Sequence, residues 1–162
     1  MPVAAPPGGP IVTTNHTPVD DFTELVVHQQ VAAPIADVWA AWTTVEGLVR
    51  WWWPHWPDTI YEMEAISGGR WSARSEEGQT GVEGEVVSVD EPHVLELTWR
   101  WDSEDSEDAV RVELAEIDGG TSVTVRHRTP SSGQDDYRQG WEFVLGNLQA
   151  ALEAEAGAEA AT

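Results

Sequence analysis

Few side chains in this sequence can do chemistry, and His127 is the best placed of them. It follows Val123 and Val125 at period two, so its imidazole projects to the same side as the apolar residues of its strand. An imidazole there serves as a satisfied core or rim histidine, as a hydrogen-bond anchor for a ligand, or as a general acid/base if a carboxylate such as Glu83 or Glu85 faces it across a sheet. Catalysis needs such a positioned partner, so no catalytic residue is assigned and His127 stands as the polar candidate. His16, His28, His55 and His93 are scattered, with no His-x-x-x-His or His-Glu-x-x-His spacing, and no metal site is expected. The chain has no cysteine, which removes disulfides, thiolate zinc sites and a Cys nucleophile. It also lacks a Gly-x-Ser-x-Gly turn and a phosphate-binding glycine loop, so no cofactor is expected. The glycines between Gly78 and Gly84 lie in a strand pattern and read as a bend or bulge.

The ten tryptophans are the other chemical resource. Trp39, Trp42 and Trp141 fall on helical apolar stripes and read first as core. Trp99 and Trp101 differ, because with His93, Leu95 and Leu97 they share one face of a strand whose other face is Val94, Glu96, Thr98 and Arg100.

The elements that must position these residues follow from period and punctuation. Thr23–Val31 reads as a strand, with Leu25, Val27 and Val31 on one face. Pro34 opens a short helix carrying Ile35, Val38, Trp39 and Trp42. Thr43-Thr44-Val45-Glu46 has the capping-box pattern and starts a second short helix that ends before Pro54. Strands are then predicted over about residues 59–66, 69–74, 81–89, 93–101, 109–117 and 121–128, the last two joined by an Asp118-Gly119-Gly120 hairpin turn. The acidic stretch 102–108 reads as a solvated loop, and Ser131-Ser132-Gly133 as a helix-entry turn. Trp141, Val144, Leu145, Leu148, Ala151 and Leu152 then trace the apolar stripe of a helix of about twenty residues. One strand, two short helices, a run of antiparallel strands and one long helix make an α+β arrangement in which a single helix covers one sheet face. Residues 1–20, with half the prolines, read as an extended or disordered tail, 21–153 as one domain, and 154–162 as a flexible end.

Several short motifs occur in an order that resembles a known superfamily. They are the segment from Val31 to Trp39 around Pro34, then Arg50-Trp51-Trp52-Trp53-Pro54, Gly68-Gly69-Arg70-Trp71, Leu97-Thr98-Trp99, Gly120-Thr121 through His127, and Gly140-Trp141 with Leu145 and Leu148. In that order they resemble the START-related (SRPBCC) ligand-binding domains, and within them the homologues of the heat-shock-protein-90 ATPase activator. The resemblance implies a helix-grip fold, a curved antiparallel sheet wrapped around the C-terminal helix. In that fold the face bearing Leu97, Trp99 and Trp101 looks into an internal cavity, together with Val125, His127, Trp141 and Leu145, while Trp52, Trp53 and Trp71 close its mouth. Three functions follow as expectations: binding of a hydrophobic or aromatic small molecule or lipid; a polyketide cyclase- or hydrolase-like enzyme in the same cavity; and a chaperone-partner domain whose core is filled.

Charge narrows the partners. The sequence holds 29 acidic residues against eight arginines and no lysine, a formal net charge of -21. Such a surface repels nucleic-acid phosphates and anionic headgroups. With no apolar run of membrane-spanning or signal length, a cytoplasmic protein without nucleic-acid or membrane partners is expected. The tryptophans of the 51–56 segment are also compatible with a homodimer.

Overall fold

The computed structural model describes residues 22–104, 107–130 and 134–161. The expected N-terminal tail 1–20 and the turn at Ser131-Ser132-Gly133 lie outside these residues. In chain order the elements are β1 (Phe22–Val31), α1 (Ile35–Thr43), α2 (Val45–Leu48), β2 (Ile60–Met63), β3 (Arg70–Ser75), β4 (Thr80–Asp90), β5 (Val94–Trp101), β6 (Asp108–Ile117), β7 (Gly120–Pro130) and α3 (Gln134–Ala161). The strands form one antiparallel sheet in the order β1-β7-β6-β5-β4-β3-β2. Every neighbour but β1–β7 is consecutive in sequence, so hairpins build most of the sheet and the first strand closes on the last. This is the helix-grip architecture.

Period-two patterning decides which face is covered. Leu25 and Val27 of β1, Val123, Val125 and His127 of β7, Val110, Val112 and Leu114 of β6, and Leu95, Leu97 and Trp99 of β5 are all buried on one face. Against them α3 presents Trp141, Val144, Leu145, Leu148 and Leu152, each contributing on the order of 1.5–3 kcal/mol by leaving water. The opposite face carries the arginines in ion pairs. Arg74 pairs with Glu83 and Asp102, Arg100 with Glu83, Arg111 with Glu96 and Glu113, and Arg126 with Glu113 and Glu24. Glu83 is thereby turned away from His127, and these two guanidinium groups hold its carboxyl below the usual carboxylate range. Glu85 is exposed on the same strand. Neither faces the imidazole across the sheet, because both lie on the polar side of β4.

Local details sharpen the sequence reading. The N-cap of α2 is Thr44, whose Oγ1 accepts from the Gly47 N–H at 2.9 Å; Thr43 instead donates back to the Trp39 carbonyl at 2.7 Å and finishes α1. The helix start is therefore one residue later than the Thr43-x-x-Glu46 pattern suggests. Helix α3 runs for 28 residues, beyond its apolar stripe, and Glu153 within it accepts from the Ala32 N–H at 3.0 Å.

Gly84 sits where β4 departs from regular pairing. Ladder partners run through Glu83 and resume in the same register at Val86, and the register shifts before Ser88. A Cβ at Gly84 would lie 1.9 Å from the Thr98 carbonyl oxygen and 2.6 Å from Trp71 Nε1. The missing side chain lets the Trp71 indole reach across β4 and donate to that carbonyl at 2.8 Å. Gly84→Ala is predicted to force strand and indole apart and to lower stability by about 1–3 kcal/mol, read as a drop in the urea midpoint with the slope unchanged.

Candidate functional site

The site is built at one end of the grip, where the N-terminal turns of α3 stand off from the sheet. A cavity of about 600 Å³ opens there. Its walls come from the segment after α2 (Trp52, Trp53, His55, Trp56), the end of β5 (Trp99, Trp101), the start of β6 (Asp108), the end of β7 (Thr129, Pro130) and α3 (Asp136, Tyr137, Gly140, Trp141, Phe143, Val144), with Gly78, Thr80 and Glu104 at its rim. Gly78 is bare because a Cβ there would lie 2.6 Å from the Trp56 ring.

The rings pack inward from this cavity as one cluster. Trp52 meets Trp42, Trp51, Trp71, Trp99 and Trp141 at centroid separations of 5.3–6.4 Å, mostly edge to face. Trp53 and Trp101 lie nearly parallel at 6.4 Å and 13° across the outer part. Trp51 is fixed by donating to the Ala41 carbonyl at 2.9 Å. The indole N–H groups of Trp42, Trp52 and Trp99 are buried with no hydrogen-bond partner among the described residues.

Beneath the cavity floor lies a polar relay. The Trp141 indole N–H donates to His127 Nδ1 at 2.9 Å, and His127 Nε2 stands 2.8 Å from Asp108 Oδ2. An indole N–H can only donate, so Nδ1 is the acceptor and the ring proton resides on Nε2, directed at the Asp108 carboxylate. Both imidazole nitrogens are thus engaged, and the ring is completely buried. Tyr137 packs on His127 with ring centroids 4.2 Å apart. Its hydroxyl oxygen accepts from Trp101 Nε1 at 2.7 Å. Burial first, then the nearby charges of Asp108 and Glu104, push the Tyr137 phenol up to about 12, against the pull of its indole donor.

The expected site residues divide by depth. Trp52, Trp53, Trp99, Trp101 and Trp141 line the cavity. Trp71 and Leu97 lie instead around a void of about 10 Å³ behind Trp52, too small for a ligand. Val125 and Leu145 are fully buried in the core and line neither space, and His127 contributes through Asp108 and Trp141. Asp108, Tyr137, Glu104, Trp56 and Phe143 were not anticipated. Asp108 belongs to the stretch read as a solvated loop, yet it is 6% exposed and opens β6 opposite Trp99. The period Asp108, Val110, Val112, Leu114 carried that information, as the spacing of four carried Tyr137 onto the stripe of Trp141. Among the described residues no three His, Asp or Glu side chains converge to hold a metal, and no helix is long and apolar enough to cross a membrane.

Two outcomes test this geometry. His127→Phe orphans a buried carboxylate and an indole N–H together and is expected to cost about 3 kcal/mol in urea unfolding, whereas Asp108→Asn, which can still accept from Nε2, costs much less. Because the folded chain holds the Tyr137 proton above its usual value of 10.0, its contribution to stability is complete below pH 10 and is lost as the pH rises toward about 12. Unfolding midpoints across that window are expected to fall less steeply in Tyr137→Phe; the raised Tyr61, still present, supplies the remaining slope.

Comparisons with known proteins agree with this architecture. The profile of the family described as activator of Hsp90 ATPase homolog 1-like protein matches residues 32–153. No curated protein is significantly similar to the chain. Among solved structures, DynU16, a protein in the dynemicin biosynthetic locus, is 23% identical with a TM-score of 0.70; the match covers 83% of this chain and 48% of DynU16, so the chain spans about half of that protein. A Rhodobacter sphaeroides protein is 25% identical with a TM-score of 0.68, over 82% of this chain and 93% of its own. CalU16 from Micromonospora echinospora is 21% identical with a TM-score of 0.62, over 82% of this chain and 78% of its own. Sheet order, covering helix and profile converge: this chain belongs to the activator of Hsp90 ATPase homolog 1-like family, within the START-related (SRPBCC) fold.

Proposed function

We propose that the protein binds an apolar, largely aromatic small molecule in the cavity between the sheet and the first turns of α3. The observation carrying this reading is the cavity itself: about 600 Å³, walled by indoles and carrying a few polar groups. Its volume lies within the roughly 300–1,000 Å³ range of small-molecule sites, which pair an apolar wall with sparse orienting groups. A ring laid against the indole wall, with a polar end toward Tyr137, would use both.

Binding is favoured over turnover by the state of His127, whose nitrogens are both occupied and which therefore has no free lone pair to take a proton. His127 acts in this reading as a positioning residue that holds Asp108 and Trp141. The chaperone-partner function in the family's description would place activity on the surface and needs no cavity, so the open space favours a small-molecule role here as well.

Native mass spectrometry and tryptophan-fluorescence titration with neutral aromatic compounds of graded size provide the test. Saturable one-to-one binding is expected, weakened at least about tenfold (about 1.4 kcal/mol) in Val144→Trp, whose indole would occupy the cavity. Gly140→Leu is the milder companion, since a Cβ there meets nothing within 4 Å and the fold should tolerate it. No binding by any compound, or equal binding by both filled variants while they remain folded by circular dichroism, would sink the proposal.

A further inference from the structure

Resting on that binding reading, we infer that the ligand is an organic cation: an ammonium group carried on an apolar or aromatic body. The cavity's charged groups have one sign. Among the described residues Glu104, Asp108 and Asp136 line it, and no arginine does. The chain has no lysine, and seven of its eight arginines have partners away from the cavity: Arg70, Arg74, Arg100, Arg111 and Arg126 pair with sheet carboxylates, Arg50 pairs with Glu155, and Arg138 donates to the Val26 carbonyl. Among the described lining residues His55, which is exposed, is the one side chain of a basic type.

Asp108 makes this more than a cluster of acids. It is more than nine-tenths buried and lines the cavity. Its Oδ2 takes the His127 Nε2–H at 2.8 Å. An ammonium group brought against this carboxylate from the cavity would add a charge-assisted hydrogen bond, strengthened by the low dielectric of the site. Trp99, Trp101, Trp53, Trp141 and Tyr137 line the same cavity. Indole is the best of the side-chain partners for a cation placed over a ring. The same negative potential is felt by Tyr137, whose phenol is raised in part by Asp108 and Glu104. At long range the net charge of -21 draws cations toward the protein and turns anions such as fatty carboxylates away.

Three naphthalene compounds of one size separate this inference from the reading it rests on: naphthylmethylammonium, naphthylmethanol and naphthoate, titrated into the full-length protein at low and at physiological salt. The ammonium is expected to bind about tenfold tighter than the alcohol, with the gap narrowing as salt rises, and the carboxylate more weakly than either. Asp108→Asn and Glu104→Gln should each lower the affinity for the ammonium by a larger factor than the affinity for the alcohol. Alcohol binding equal to or tighter than the ammonium overturns the cation assignment and leaves the cavity reading standing. Binding of the ammonium that is unaffected by both substitutions also overturns it. Failure of all three compounds, with no adduct in native mass spectra, overturns the cavity reading and this inference with it.

Discussion

Edge-to-face packing of indoles around Trp52 organises the closed half of this domain. Trp52 comes from the turn after α2, and it meets Trp42 of α1, Trp71 of β3, Trp99 of β5 and Trp141 of α3. One side chain thereby ties both short helices, the sheet and the covering helix together. Flat rings with a fixed quadrupole prefer a few relative orientations and do not mould to one another as aliphatic chains do. Where α1 and α2 press them together they leave only a void of about 10 Å³; where α3 begins, they leave the larger space open. The cluster carries a cost, since the buried N–H groups of Trp42, Trp52 and Trp99 have no partner among the described residues, each on the order of 1–3 kcal/mol.

The relay from Trp141 through His127 to Asp108 complements that packing with direction. It joins α3, β7 and β6 at one point and fixes which way each polar group faces. Apolar contacts alone would allow α3 to rotate or slide slightly against the sheet; an indole N–H that must meet one imidazole nitrogen permits far less. The front wall of the cavity, Tyr137 through Val144, inherits its placement from this contact.

How much of this could be read from the sequence differs by level. The strands and their inward faces were legible, because Leu95-x-Leu97-x-Trp99 and Val123-x-Val125-x-His127 alternate without interruption. The inward turn of His127 was legible for the same reason, but its partner was not. Pairing across a sheet depends on register, and β6 brings Asp108 to the face of Trp99 only once the hairpins are closed. Glu83, nearer in pattern to a sheet-spanning carboxylate, is claimed by Arg74 and Arg100. The depth of each tryptophan was likewise hidden: Trp53 and Trp71 occur in similar apolar motifs, yet one lines the cavity and the other packs behind it, a difference set by the Gly84 gap through which Trp71 reaches Thr98.

The indole cluster has an optical consequence. Nine of the ten tryptophans are linked in a chain of ring pairs with centroids 4.7–6.4 Å apart. At such separations excitation migrates between chromophores faster than it is emitted, and their transition dipoles couple. The cluster therefore absorbs and emits as a single antenna: light taken up by Trp42 in the core can be released, or extinguished, at Trp101 beside the cavity mouth.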